Sequence, residues 1–119
     1  MLIGVGRFSG MGGHKVSGSF ALRRGRAGVI LETSADFYFD GSLEPGWALH
    51  PSVPCERTDP RLHAMANATR FGDLPRDVTE IAGRHTAVVP AHIRIEEYNS
   101  VFLWCYGAPY LLGIGPIER

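Results

Sequence analysis

The residues of this 119-residue chain that could do chemistry are few and scattered. There are two cysteines, Cys55 and Cys105, and five histidines, at positions 14, 50, 63, 85 and 92. None forms a Cys-x-x-Cys or His-x-x-x-His pair, so the spacing gives no local support for a zinc site, and we assign no metal ligand. The covalent haem motif Cys-x-x-Cys-His is also absent. The sequence leaves open a metal site assembled by the fold and a haem held non-covalently by Cys105, a histidine or a methionine.

Cys105 is the most informative of these residues because it stands inside the apolar stretch "YNSVFLWCYG". Such a stretch predicts a central strand that is buried on both faces. Successive strand residues point to opposite faces, which separates two triplets: Val101, Leu103 and Cys105 from Phe102, Trp104 and Tyr106.

Three roles for the Cys105 thiol remain open. Buried free cysteine is usually inert packing. A disulfide to Cys55 would require an oxidising compartment. A reactive thiol would need a pKa lowered by a nearby cation or a helix N-terminus, and no such group is adjacent in the sequence.

Composition and motifs exclude several classes of function. Twelve basic residues balance twelve acidic ones, so no global charge attracts nucleic acid. No apolar run reaches the ~20 residues of a membrane-spanning helix. Met1 to Val5 is too short for a signal peptide, which favours either a cytoplasmic protein or the mature part of an exported one. The Gly-rich opening lacks the Gly-Lys-Ser/Thr ending of a phosphate-binding loop. No Gly-x-Ser-x-Gly elbow occurs, which argues against a serine hydrolase.

The elements that position Cys105 are expected to be short strands, because fifteen Gly and eight Pro punctuate short apolar segments. Period-two alternation from Val16 predicts a strand that turns at Arg24-Gly25 and returns through Val29. Ile93 and Ile95 are expected on one face of a further strand. The predicted fold is a single all-β domain, residues 1–119, forming an antiparallel sandwich or small barrel of about seven to nine strands.

Residues 51–70 interrupt this pattern and predict an irregular insertion with one short helix. Asp59 is a good N-cap, and Pro60 suits the first helical position. Three apolar residues then fall on one helical face: Leu62, Met65 and Ala66.

Short motifs also follow one another in a fixed order along nearly the whole chain. They are Gly6-Arg7-Phe8, His14 with "VSGSFAL", "VILETSADFYF", "FGDLPRD", "GRHTAVVP", "YNSVFLWC" and "LLGIGPIE". This order resembles that of the DM-thirteen domain, an electron-transfer DM domain often found beside DOMON domains. The "Y-x-S-V-x-x-W-C" block is its most specific part. Two regions depart from the family pattern: "LEPGWALH" stands where a Gly-Pro-Asp step is usual, and residues 51–70, with Cys55, have no counterpart.

The resemblance implies an all-β domain of periplasmic, secreted or membrane-anchored proteins, with a redox-partner protein or domain. It implies that Cys105 takes part in redox chemistry or electron transfer. His14 occupies the other matching polar position. We hypothesise that it lies near Cys105 and either stabilises a thiolate or helps to bind a metal; the alternative is a turn residue whose ring bonds to the backbone.

Two functions therefore remain. One is a redox or electron-transfer module centred on Cys105, which needs no substrate of its own, so an independent enzyme is not predicted. The other is an extracytoplasmic binding or adhesion domain in which Cys105 is core packing. Its recognition surface would include Trp47, the insertion and the turn at residues 106–110.

Overall fold

The computed structural model describes all 119 residues, from Met1 to Arg119. It contains one helix, α1 (Pro60–Ala68), one 3-10 turn (Ile95–Glu97) and eleven strands. The strands are β1 (Leu2–Arg7), β2 (Ser9–Gly10), β3 (Val16–Ser17), β4 (Ser19–Gly25), β5 (Gly28–Thr33), β6 (Tyr38–Phe39), β7 (Pro45–His50), β8 (Ile81–Ala82), β9 (Thr86–Val89), β10 (Ser100–Cys105) and β11 (Tyr110–Pro116). Because β2, β3, β6 and β8 have only two residues each, seven longer strands remain. The all-β fold with one short helix is confirmed. No helix is long and apolar enough to cross a membrane.

The strands form three sheets in which every pairing is antiparallel. The strand orders are β1-β4-β5-β9, β2-β11-β10-β7 and β3-β6-β8. The first two sheets contribute their inner faces to one main core, where Leu22 and Leu31 of the first sheet join Leu49 and Leu103 of the second. The predicted β4–β5 hairpin is confirmed, with Phe20 opposite Thr33 at one end and Gly25 opposite Gly28 at the other.

Strand β10 is central and has two apolar faces, as predicted. Val101, Leu103 and Cys105 belong to the main core. Phe102 and Trp104 point the other way, into a second apolar cluster. All six residues of β10 are buried, because this second face is also covered.

The insertion, residues 51–70, covers the second face of β10, which carries Phe102 and Trp104. Helix α1 begins where predicted, since the Asp59 side chain accepts a hydrogen bond from the backbone N–H of Arg61 at 2.8 Å. Leu62 and Ala66 are the buried side chains of α1, and they pack in the cluster that holds Trp104. The helix therefore acts as the outer layer of the second sheet.

The chain after α1 protects the open edge of that sheet. Strand β7 is an edge strand, and residues 69–74 run beside it. The Trp47 N–H donates to the Gly72 carbonyl at 2.8 Å, and the Leu74 N–H donates to the Pro45 carbonyl at 3.0 Å. These bonds occupy backbone groups that would otherwise be free to pair with another chain.

The strand predicted around Ile93 and Ile95 is absent, although both side chains are buried. Two successive turns replace it: the Ile93 N–H donates to the Pro90 carbonyl, and the Glu97 N–H donates to the Arg94 carbonyl. Alternation of two apolar residues was therefore insufficient to predict a strand, because turns can bury the same two side chains.

Candidate functional site

Cys105 is the last residue of β10 and lies between two neighbouring strands. It stands opposite Pro45 on β7 and opposite Tyr110 on β11. Its relative exposure is 0 %, which follows from its position on the inner face of a central strand. The exposed residues Gly107 and Pro109 follow it in the turn that connects β10 to β11.

The Cys105 sulfur is surrounded by hydrogen-bond donors from two segments. The Ser42 hydroxyl donates to Sγ, with Oγ and Sγ 3.1 Å apart. The backbone amides of Glu44, in the same segment before β7, and of Gly107 and Ala108, in the turn after β10, lower the pKa of the thiol. One hydroxyl donor and three backbone amides thus act on a sulfur that has no exposed surface.

These contacts oppose one another in their effect on the thiol. Burial raises the pKa of Cys105, while the hydrogen bonds from Ser42 and from the amides of Glu44, Ala108 and Gly107 lower it. The net result is a pKa below the ordinary thiol value of 9.0. Hydrogen bonds to the charged form favour that form, so this site stabilises a thiolate with neutral dipoles and without a cation.

The His14 side chain bonds to Asp40, two residues before Ser42, and not to Cys105. Its Nδ1 is 2.9 Å from Oδ1 of Asp40, and Oδ2 of Asp40 accepts the Lys15 N–H. No charged side chain, that of His14 included, is among the groups that shift the pKa of Cys105. No hydrogen bond joins His14 to Cys105. The ring of His14 therefore bonds to a carboxylate, which neither of the two sequence-based interpretations anticipated.

The tripeptide Asp40-Gly41-Ser42 connects the two predicted residues, because His14 bonds to one end and Cys105 to the other. Its middle residue has a φ of +87°, and a Cβ at this position would lie 1.8 Å from the Val78 carbonyl oxygen. Only glycine fits such a backbone without displacing its neighbours. The path of the chain at Gly41 thus fixes where the Ser42 hydroxyl reaches the sulfur.

Tyr110 is a second connection between these residues. It stands opposite Cys105 in the β10–β11 ladder, and residues that are directly opposite share a face of the sheet. The His14 ring stacks on the Tyr110 ring, with centroids 6.2 Å apart and planes at 25°. The Arg57 guanidinium carbon lies 4.6 Å from the centroid of the same ring. Two basic side chains therefore pack on the ring of the residue that stands opposite Cys105.

The other candidate residues have different surroundings. Cys55 is exposed and free, so it forms no disulfide with Cys105, which is also free. No group of three or more His, Cys, Asp or Glu side chains is arranged to hold a metal ion. Trp47 was expected on a recognition surface, and this prediction is wrong: it is 1 % exposed and belongs to the main core.

Sequence reasoning missed the donors around Cys105 because three of the four are backbone amides. Every residue except proline has such an N–H group, so residue type carries no signal for it. The one available signal was the turn sequence Gly107-Ala108-Pro109 directly after the cysteine, which indicates a tight return of the chain.

Comparison with known proteins adds no assignment, because no family model, no curated protein and no solved structure matches this chain.

Proposed function

We propose that this protein is a redox domain of the DM-thirteen type, in which the Cys105 sulfur is oxidised and reduced. The observation that carries the proposal is the Ser42 hydroxyl bond to Sγ, together with three backbone amides that also lower the pKa of the thiol even though the residue is buried. A neutral thiol is only a weak acceptor, whereas such donors stabilise a thiolate strongly, so this environment favours a redox role over packing. The resemblance to the DM-thirteen family supports the same residue and implies a location outside the cytoplasm.

The burial of Cys105 limits the kind of redox reaction. A sulfur with 0 % exposure excludes both a bulky substrate and the cysteine of a docked protein, so we infer reaction with a small oxidant. With hydrogen peroxide, the thiolate attacks one peroxide oxygen, the O–O bond breaks and hydroxide leaves, so the sulfur becomes a sulfenic acid. Two equivalents of a small thiol return it to the thiol, releasing water and a disulfide.

His14 acts in this proposal as a positioning residue. Its bond to Asp40 holds one end of the tripeptide that presents the Ser42 hydroxyl to the sulfur. Substitution of His14 is therefore expected to change the thiol in the same direction as substitution of Ser42, and by a smaller amount.

The test measures the rate of Cys105 alkylation as a function of pH in native protein with Cys55→Ser, which removes the exposed thiol. Ser42→Ala is expected to move the rate profile to higher pH, because the thiolate loses a donor. His14→Gln is expected to move it less, and Ser17→Ala, at an exposed serine, is the matched control. Peroxide should convert native Cys105 to the sulfenic acid.

Labelling of Cys105 only after denaturation, with no oxidation by peroxide, would refute the redox function. The complete burial of Cys105 in the main core would then favour the second candidate, a binding or adhesion domain in which this residue is packing.

A further inference from the structure

A groove lies on the outer face of the first sheet, away from Cys105. It has a volume of about 620 Å³, within the usual range of ligand sites. Its floor is made of small side chains: Ala21 stands opposite Val5 on β1 and opposite Glu32 on β5, and Ser19 stands opposite Arg7. A twisted sheet with small residues at its centre and long ones around them forms a concave surface.

Three arginines surround this floor: Arg7, Arg23 and Arg84. The guanidinium groups of Arg7 and Arg23 are exposed and make no salt bridge or hydrogen bond within the chain. Arg84 makes one long contact, with its Nη1 3.4 Å from Oε1 of Glu32. By contrast, the Arg24 side chain, next in sequence to Arg23, is engaged by Glu96 at 2.7 Å. The groove thus holds two uncommitted guanidinium groups, which are the preferred partners of carboxylate and phosphate.

The register gives the spacing of the backbone positions that carry these two arginines. Arg7 lies opposite Ser19, and Arg23 lies four residues further along β4, so the two positions are roughly 13 Å apart along the strand direction. The two arginines therefore start from opposite ends of the groove. The Ser19 side chain and the Glu32 carboxylate lie between them, and the Glu118 carboxylate also lines the groove, so these two carboxylates repel an anion and accept hydrogen bonds. A complementary ligand carries an anionic group at each end and hydrogen-bond donors in its middle.

The lining offers no aromatic stacking surface. Its one aromatic residue is Phe20, which is 3 % exposed and packs in the main core. A sugar ring or a nucleobase therefore has nothing to stack on. The specific contacts of this groove are its charged and hydrogen-bonding groups, beside apolar contacts from Val5 and Ala21.

We propose that this groove binds an elongated, hydroxylated organic dianion, with its two carboxylate or phosphate groups held by Arg7 and Arg23. Arg84 assists at the end nearer to Arg7, and the hydroxyl groups of the ligand donate to Glu32. This site shares no residue with the surroundings of Cys105, so it stands whether or not the redox function does.

The test is calorimetric titration of the full chain at low ionic strength with four probes. Glucarate has six carbons, two carboxylates and hydroxyl groups; adipate lacks the hydroxyls, gluconate has one carboxylate, and glucitol 1,6-bisphosphate replaces carboxylate by phosphate. Glucarate or the bisphosphate should bind at least about tenfold more tightly than gluconate, since one charged hydrogen-bonding contact is lost in gluconate. The tighter of the two identifies the anionic group.

Arg7→Ala and Arg23→Ala should each weaken the tighter probe by about tenfold. Arg26→Ala is the matched control, because Arg26 is exposed, forms no ion pair and lies outside the groove. Glu32→Gln should reduce the preference for glucarate over adipate. Absence of binding by both glucarate and the bisphosphate would overturn the proposal, as would equal weakening by Arg26→Ala and Arg23→Ala, which would indicate non-specific attraction.

Discussion

The hydroxyl of Thr69 connects the insertion to the edge of the second sheet, and its removal is expected to destabilise the whole domain. Thr69 is 2 % exposed. Its Oγ1 accepts the Leu49 N–H at 2.9 Å and lies 2.8 Å from both the Leu49 and the Met65 carbonyl oxygens. Thr69→Val keeps the shape of the side chain but deletes these bonds, leaving the N–H of a fully buried residue without an acceptor.

The expected cost follows from the two groups affected. An orphaned buried donor costs about 1–3 kcal/mol, and the lost bond to a carbonyl adds about 1 kcal/mol, so the free energy of unfolding should fall by about 2–4 kcal/mol. This is a large share of the ~5–15 kcal/mol that stabilises a typical domain. Urea unfolding followed by tryptophan fluorescence measures it, since Trp47 and Trp104 are both buried and should report the transition.

Two variants make the result specific to the hydroxyl. Thr69→Ser keeps the hydroxyl and loses one methyl group, so it should cost only about 1 kcal/mol. Thr79→Val, at an exposed threonine, should change stability by less than about 0.5 kcal/mol. If Thr69→Val is no less stable than Thr69→Ser, the bonds between Thr69 and Leu49 do not hold the insertion on the sheet, and the reasoning fails.

Two further predictions concern the same sheet. Burial lowers the pKa of His50 from the ordinary value of 6.5, so below that pH the unfolded chain binds a proton that the native ring resists, and stability falls as the pH drops. His50→Asn should lose less stability than wild type between about pH 7.5 and 5.5, whereas His92→Asn, at an exposed histidine, should behave as wild type. Burial also raises the pKa of Tyr106, so its hydroxyl stays protonated and donates to the Ala66 carbonyl at 3.0 Å. Tyr106→Phe should lower the free energy of unfolding by about 1 kcal/mol, and an unchanged urea midpoint would show that this bond is not needed to hold α1.

The predictable parts of the fold were the elements that are marked by a pattern of several residues. Strand β10 has six apolar or small residues in succession, so its two faces and the inward direction of Cys105 followed from period two alone. Asp59 and Pro60 defined the start of α1, because capping depends on the type of one or two residues. The turns between Pro90 and Glu97 depend on backbone hydrogen bonds that almost any residue can make, so no residue type in this segment predicts them.

The candidate site was only partly predictable for a related reason. Cys105 could be singled out because thiols are rare in this chain. The groups that tune it are the Ser42 hydroxyl and the backbone amides of Glu44, Gly107 and Ala108, which come from two segments more than sixty positions apart. Their meeting depends on the pairing of β7 with β10, which no local pattern specifies. The sequence did not predict the groove on the outer face of the first sheet, because its arginines are far apart in sequence and come together only through strand register.

Helix α1 also replaces apolar surface that another polypeptide would otherwise have to supply. Phe102 and Trp104 have no exposed surface, and Leu62 and Ala66 share their buried cluster. A domain with the same strands but without residues 51–70 would present these two aromatic residues to water beside an unprotected edge strand. It would have to carry polar residues at both positions or bury that face against a second polypeptide. The insertion thus does, within one chain, what a subunit interface does for an apolar sheet face that is left open.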